Sequence, residues 1–288
     1  MPASHPFPIS KYALLGSRLS EEGILLPGQI HTAPAVTDAQ LLRVHTPDYV
    51  SRVVTGHLTP NELRRIGFPW SEALVERARR SAGGTLAAAR AALDDGAGLN
   101  LAGGTHHAFP DHGEGFCVFN DVAIAIRDMM AEGKIHRATV IDCDAHQANG
   151  TAVIFADDPR VFTFSIHAAR GYPVRRWQSC IDIDLIDHTS DQGYLRALDS
   201  GLVFTASTFA TEIVFYLAGA DPYLDDRFGR LALSKEGLAE RDRHVLAWCA
   251  ARDMPVVVVM AGGYARHIED TVDIHLQTIR LLAERFAH

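Results

Sequence analysis

Cysteine is scarce. Cys117, Cys143, Cys180 and Cys249 are the four in 288 residues, and no two of them form a CxxC pair. That density excludes a disulfide framework and points to a reducing compartment, the cytoplasm. Basic charge is also short: 27 Lys and Arg stand against 35 Asp and Glu, for a net charge of -8 with His neutral. A protein that coats nucleic acid would carry the opposite balance. The deficit fits a cationic substrate or partner only weakly, because many soluble enzymes are mildly acidic. The longest apolar run, "MPVVVVMAGG" over 254–263, falls far short of the roughly 20 residues of a membrane span and reads as a buried strand. The opening "MPASHPFPIS" lacks a basic segment followed by an apolar one, so no signal peptide is expected. No Ser/Gly-rich linker, internal repeat or low-complexity tract interrupts the chain. Residues 1–288 therefore read as one domain, with ample length for a core.

What is present is a series of short apolar runs, each ending in a Gly- or charge-rich turn. They cover 98–104, 137–144, 160–167, 180–185, 212–221 and 255–263. Most are rich in Val, Ile and Phe and show no clean alternation, as strands buried on both faces of a parallel sheet do. Helical patterns lie between them. Residues 71–96 open on a Ser cap and stop at Gly96, 120–134 follow an Asn cap, and 234–253 and 268–286 are amphipathic. Strands alternating with helices predict an α/β domain. In such sheets ligands bind beyond the carboxyl ends of the strands. The polar clusters fall there: His106-His107, Asp144 and His146, Asp221, and Tyr264 each follow an apolar run.

The densest cluster is "DCDAHQANG" over 142–150. In an extended chain, alternate residues share a face, which would present Asp142, Asp144 and His146 together and turn Cys143 away. An Asp-x-His pair offers oxygen and nitrogen ligands, and a third ligand with open positions beside it makes a catalytic metal site. Asp221, in "LAGADPYLDD", is the candidate for that third ligand. Alone, the first string could be a turn with capping carboxylates, and Asp before Pro is common turn chemistry. The other pieces tip the balance. Two adjacent histidines after Gly-Gly, His106 and His107, suggest a base and an acid beside a reacting carbonyl. Asp142 and Asn149 could orient them from behind. Tyr264, on the Gly-Gly turn of "AGGY", could donate to a developing oxyanion. His112 reads as a solvated loop residue.

The segments "GGTHHAF", "GEGFCVFND", "DCDAHQANGT", "FSIH", "AGAD" and "AGGY" occur in the order found in the zinc-dependent histone deacetylases. The chain resembles that family over residues 5 to 285. It looks closest to the class IV branch and its bacterial relatives, since "DAHQANG" stands in place of "DxHHGDG". The resemblance implies an arginase/deacetylase-like fold: a three-layer, mostly parallel sheet of about eight strands flanked by helices. It implies zinc, or ferrous iron, on Asp144, His146 and Asp221. His106 and His107 would be the paired imidazoles, backed by Asp142 and Asn149, with Tyr264 the oxyanion donor. Gly115 and Phe116 would line an acyl-lysine tunnel. A structural potassium ion would lie near Asp142, Asp144, the backbone of His146, Ser165 and the backbone of Ile166, with His167 beside it. The implied reaction is amide hydrolysis by a metal-activated water, with His107 as base. The substrate would be an acyl-lysine peptide or protein, or a small acylated amine. Class IV relatives favour long fatty acyl groups over acetyl.

Departures from the family pattern carry meaning. Asn149 replaces an Asp, and an amide orients His107 without stabilising its cation, so His107 should be less basic. Gln147 replaces a second His and should point away from the metal. Ala148 occupies the position where a binuclear, arginase-type hydrolase needs an acid, which argues against a second active-site metal. An acetylpolyamine amidohydrolase shares these motifs but carries a long inserted loop. Here 167–180 joins two strands in about a dozen residues, and its Arg170, Arg175 and Arg176 would repel a polycation if they line the mouth. Tyr172 or Trp177 could shape the rim. A catalytically silent binding module is the remaining alternative, although every catalytic position is filled.

Overall fold

A computed structural model describes residues 5–25 and 28–286. The first four residues of the opening segment, which enter the signal-peptide reading, lie outside the described residues. Six strands form a single sheet: β1 (Ala97–Asn100), β2 (Ala138–Asp142), β3 (Val161–Ala168), β4 (Ile181–Leu185), β5 (Ile213–Leu217) and β6 (Val256–Val259). Every pairing is parallel, and the order is β1-β6-β5-β2-β3-β4. The helices in the first half are α1 (Ser10–Glu21), α2 (Asp38–Leu41), α3 (Pro47–Thr55), α4 (Pro60–Ile66) and α5 (Glu72–Asp95). Those in the second half are α6 (Asp121–Ala131), α7 (Asn149–Phe155), α8 (Asp191–Thr208), α9 (Lys235–Ala250) and α10 (Ile268–Phe286).

The three-layer α/β architecture is the expected one, but among the described residues the sheet has six strands and not about eight. The six apolar runs of the sequence are the six strands. The chain between them carries helical or turn sequence, so no further β-rich run is available to extend either edge. Strand ends also fall short of the apolar runs. In the run over 98–104, β1 ends at Asn100; the Ala102 and Gly103 carbonyls still accept from Met260 and Ala261 N–H, and Gly103 and Gly104 then turn the chain with φ of 78° and 79°.

Helix starts follow local chemistry. The side chains of Ser71, Asn120 and Ser234 accept hydrogen bonds from the backbone N–H of Leu74, Ala123 and Gly237, capping α5, α6 and α9. Gly96 ends α5 in the left-handed conformation. The strands β2, β3, β5 and β6 are buried on both faces, which is why they lack polar alternation. Alternate residues still serve different layers. Val214, Tyr216 and Val258 pack with Leu198, Leu202, Leu246 and Ile279 of α8, α9 and α10. Val140, Phe215 and Val257 pack with Leu86, Ala89, Val122 and Ile126 of α5 and α6. Among the described residues no helix is long and apolar enough to cross a membrane.

Because all strands run the same way, their carboxyl ends share one edge. Four neighbours in the sheet, β1, β6, β5 and β2, are each followed there by one of the polar clusters.

His45 ties this edge to the outer helices. Its Nδ1 lies 2.9 Å from the Phe109 carbonyl, and its Nε2 accepts from Asn120 N–H at 3.0 Å, which fixes the Nδ1–H tautomer. Burial lowers its pKa to about 4. The folded state therefore resists a proton that the unfolded chain accepts below about 6.5, so stability is intact above that pH and lost as pH falls toward 4. The loss amounts to about 3 kcal/mol. Urea unfolding of His45→Gln between pH 7 and 4.5 should show a shallower fall than the natural chain; parallel curves would rule out His45 as the source.

Candidate active site

β2 ends at Asp142, so Asp144 and His146 do not sit on a strand face as the alternation argument has it. Residues 144–146 form a bend, closed by side-chain carboxylates. Asp144 N–H donates to Asp142 Oδ1 at 3.0 Å, and His146 N–H donates to Asp144 Oδ1 at 3.0 Å. Cys143 points into the core beneath the sheet.

The bend brings His146 Nδ1 to 2.9 Å from Asp144 Oδ1, and Asp221, beyond β5, places its Oδ2 3.1 Å from the same nitrogen. The second oxygen of each carboxylate is already engaged. Gly262 N–H donates to Asp144 Oδ2 and Ala145 N–H to Asp221 Oδ1, both at 2.8 Å. One donor atom from each residue remains, the three within 4.8 Å of one another. Ligands about 2.1 Å from a common tetrahedral ion stand about 3.4 Å apart, close to these separations. Charge argues the same way. Burial and the neighbouring Asp144 carboxylate push Asp221 up to about 7. Burial also opposes the Asp144 charge, but His106 and His146 outweigh it and hold Asp144 well below the usual carboxylate range. The set fits a divalent cation of the Zn²⁺ or Fe²⁺ kind, and Ala148 offers no carboxylate for a second.

His106 and His107 lie beside it, with ring centroids 4.0 Å apart. Their partners differ. His106 Nδ1 is 2.7 Å from Asp142 Oδ2; His107 Nδ1 is 2.6 Å from Asn149 Oδ1. Burial works against a charged His106, but the Asp142 and Asp144 charges overcome it and raise the imidazole to about 9. Burial, reinforced by His106 and His146, lowers His107 well below its ordinary value.

The pair faces one cavity of about 440 Å³ together with Asp144 and His146 of the donor set. Gly115, Phe116 and Tyr264 line it, as does Gly262. A Cβ on Gly262 would overlap the Asp144 and Asp221 carboxylates, so only glycine fits there. Phe116 takes φ 65°, a left-handed strain that turns its ring toward Tyr264 at 5.9 Å. Phe228, which no motif flagged, packs on Tyr264 at 5.1 Å. Asp226 accepts the Tyr264 N–H at 2.6 Å. Gly103, Gly104, Asn100 and Ser81 line the same cavity.

Other residues lie apart from the donors. His112 stacks on Phe109 at 4.5 Å and bonds Asp111. The Gln147 amide clasps the main chain of Trp177, donating at 2.6 Å and accepting at 3.0 Å, and so pins the 167–180 loop. Arg176 is tied to Asp184 and the Ala168 carbonyl, so it does not present free charge to the mouth. Arg175 stacks on Trp177 at 4.5 Å in a shallow depression outside. Tyr172 reaches the site itself, its ring edge-on to His107 at 4.8 Å. Ser165 pairs with Asp142 across β2 and β3, with its hydroxyl 2.8 Å from His167 Nδ1, and Ile166 follows it in the core.

Two buried cations, absent from any motif, hold the loops that carry these groups. Arg241 of α9 donates to the carbonyls of Gly219 (2.5 Å) and Cys143 (3.3 Å), one residue or two from Asp221 and Asp144. Asp242 pairs with Arg241 at 2.8 Å and receives the Tyr216 and Thr278 hydroxyls. Lys11 of α1 donates to the Ala261 carbonyl at 3.1 Å, between the rings of Phe7, Tyr12 and Tyr264. Burial lowers Lys11 to about 8, against the opposing pull of Asp221 and Asp144.

A three-layer sheet with an acidic donor set and paired imidazoles at its carboxyl edge defines a hydrolase of the deacetylase class. A model of the histone deacetylase domain matches residues 5–279, and the chain belongs to that family. It is 44% identical over 275 residues to an uncharacterised protein of Picosynechococcus, covering 96% of this chain and 92% of that protein. It is 31% identical to histone deacetylase 2 of Arabidopsis thaliana, covering 93% of this chain and 73% of that one. The crystal structure of a histone deacetylase homologue from Aquifex aeolicus superposes with a TM-score of 0.83 at 23% identity, covering 99% of this chain and 81% of that one.

Removing Arg241 alone leaves Asp242 as a buried, uncompensated charge. Arg241→Met should lower stability by about 3–5 kcal/mol, and the double variant with Asp242→Asn should recover part of that. Urea unfolding of the metal-free protein checks it; a loss under about 1 kcal/mol would mean the pair is not what holds the two loops.

Proposed function

We propose that the protein hydrolyses an N-acyl amide, with acyl-lysine in a peptide or protein as its substrate. The observation that carries this reading is the pair of differently partnered imidazoles facing the same cavity as the buried donor set. Asp144, His146 and Asp221 would hold the metal, zinc or ferrous iron, which when bound polarises the substrate carbonyl and acidifies a water. His107 gives its Nδ1–H to Asn149, which leaves the Nε2 lone pair to take a proton from that water. His106, favoured as the cation by Asp142, supplies the proton that the leaving amine needs. The two imidazoles thus divide base and acid between them. The Tyr264 hydroxyl, held protonated by burial and by the Asp144 and Asp221 charges, donates to the oxyanion. Phe116 and Tyr264, which line the cavity, would pack on the methylene stem of a lysine, with Phe228 buttressing Tyr264. A potassium ion would be held by Asp142, Asp144 and His146 with Ser165 and Ile166, an oxygen donor set suited to a hard cation.

The cavity of about 440 Å³ extends from the imidazole pair to Asn100 and Ser81, and acyl chains longer than acetyl are part of the proposed substrate range. An acetylated polyamine is a poorer fit on this reading, because Phe116 and Tyr264 offer a second ammonium no acidic partner.

Acetyl-, butyryl- and myristoyl-lysine peptides and acetylpolyamines should be assayed together with metal analysis. Turnover of acyl-lysine peptides is expected to hold or rise from acetyl to butyryl, with one transition ion per chain. No turnover above a metal-stripped control would remove the deacylase reading, and two transition ions per chain would remove the mononuclear one. Tyr264→Phe should lower kcat by about 10²–10³, the worth of one oxyanion donor. Equal rates would place the observed turnover elsewhere.

A further inference from the structure

Glu114 lies outside the donor set and the imidazole pair, yet it touches both sides of the wall behind His107. Its Oε1 accepts from Asn149 Nδ2 at 2.6 Å, and it lines the same depression as Tyr172 and Asn149. Tyr172 in turn packs edge-on to His107. The loop that carries Glu114 is anchored on both sides. Gly115 N–H donates to the Arg65 carbonyl at 3.1 Å, Phe116 N–H to the Ile66 carbonyl at 2.8 Å, and Cys117 N–H to the Glu114 carbonyl at 2.9 Å. Gly115 itself takes φ 56°, and a Cβ there would come within 2.6 Å of the His107 ring and 2.9 Å of Tyr172. Glu114 is therefore placed by its backbone and not by a free side-chain search.

An asparagine amide has two ends of similar shape and opposite hydrogen-bonding sense. The end that faces His107 Nδ1 decides which ring nitrogen carries the proton. If Oδ1 faces it, Nδ1 is the donor and Nε2 keeps its lone pair. If Nδ2 faces it, Nδ1 must accept and the proton moves to Nε2. A carboxylate beside Asn149 accepts only, so it selects Nδ2 and turns Oδ1 toward His107. The Gly150 N–H, 3.0 Å from Asn149 Oδ1, favours the same orientation but adds no charge.

We propose that Glu114 is a positioning residue that locks the Asn149 amide in one orientation and thereby fixes His107 with its proton on Nδ1. This rests on the reading of His107 as the base. It also accounts for an asparagine at this position: an aspartate at 149 would set a second carboxylate at hydrogen-bond distance from Glu114, where like charges repel.

The test has two readouts. Long-range ¹H–¹⁵N spectra of the metal-free protein report the His107 tautomer directly and need no substrate. The natural chain should show a protonated Nδ1, and Glu114→Ala should raise the share of the Nε2–H form. Glu114→Gln can still present an oxygen to Asn149 Nδ2, so it should restore the natural pattern, with a melting curve of each variant to confirm folding. In turnover, Glu114→Ala should lower kcat about 10-fold to 100-fold with little change in KM, as loss of an orienting partner does. Asn149→Asp should be impaired, and Asn149→Asp with Glu114→Gln should recover at least about tenfold over it, because one carboxylate then remains. An unchanged tautomer in Glu114→Ala overturns the proposal, and so does a double variant no better than Asn149→Asp. If the tautomer shifts as expected in a protein that turns over no acyl-lysine, the positioning role stands and the function assigned to His107 falls.

Discussion

Three carboxylates, those of Asp142, Asp144 and Asp221, are buried together at the carboxyl ends of β2 and β5, and the surrounding structure is built against their charge. An unpaired buried carboxylate costs several kcal/mol of lost hydration. Each one here is met in a distinct way. Asp142 is met by the His106 imidazole and the Asp144 amide. Asp144 accepts the Gly262 N–H on one oxygen and the His146 N–H on the other, Asp221 accepts the Ala145 N–H, and each turns an oxygen toward the His146 ring. Behind them sit Arg241 and Lys11, two fully enclosed cations whose donors go to main-chain carbonyls of the same loops. The remaining negative charge points into the cavity, where the family places a cation. Three carboxylates concentrated at such electrostatic expense at one sheet edge mark that edge as functional.

The fold makes that concentration possible. A parallel sheet sends every strand the same way, so loops from β1, β6, β5 and β2 meet without long excursions. The helices do more than cover the sheet. Arg241 is in the body of α9 and Lys11 in α1, and their long side chains reach the Gly219 and Ala261 carbonyls in the loops after β5 and β6. Packing and site are therefore one system: the core that buries Tyr216 and Thr278 also satisfies Asp242, which holds Arg241.

Much of this was legible in the sequence, for a physical reason. Strand ends, their Gly-Gly turns and the residues just beyond them are contiguous in the chain, so "GGTHH", "DCDAH", "AGAD" and "AGGY" announce themselves. The α/β class and the six apolar runs are local properties of the same kind. Strand number was misjudged because it came from resemblance and not from the runs themselves. The face argument for Asp142, Asp144 and His146 failed because β2 ends one residue before Cys143; a bend closed by carboxylate hydrogen bonds does what an extended strand was expected to do. Lys11 and Arg241 could not be read at all. Lys11 meets Ala261 from 250 residues away, and a lone cation in a helix carries no local sign of its partner. Glu114 sits inside the motif "GEGFCVFND", but nothing local marks it, since its partner Asn149 lies 35 residues on.

The two histidines show how little sequence difference is needed to divide labour. They are adjacent, share one cavity and differ chiefly in what stands behind Nδ1: a carboxylate for His106, an amide for His107. A carboxylate stabilises the cation of its imidazole; an amide orients without doing so. On the proposed mechanism this asymmetry assigns acid and base before any substrate arrives. A second aspartate at 149 would narrow the gap between the pair, and it would also crowd Glu114. The asparagine resolves both problems at once, keeping His107 neutral and giving the Glu114 carboxylate a donor to meet. The departure from the family pattern is thus part of a consistent local solution, in which negative charge is kept one residue farther from the base.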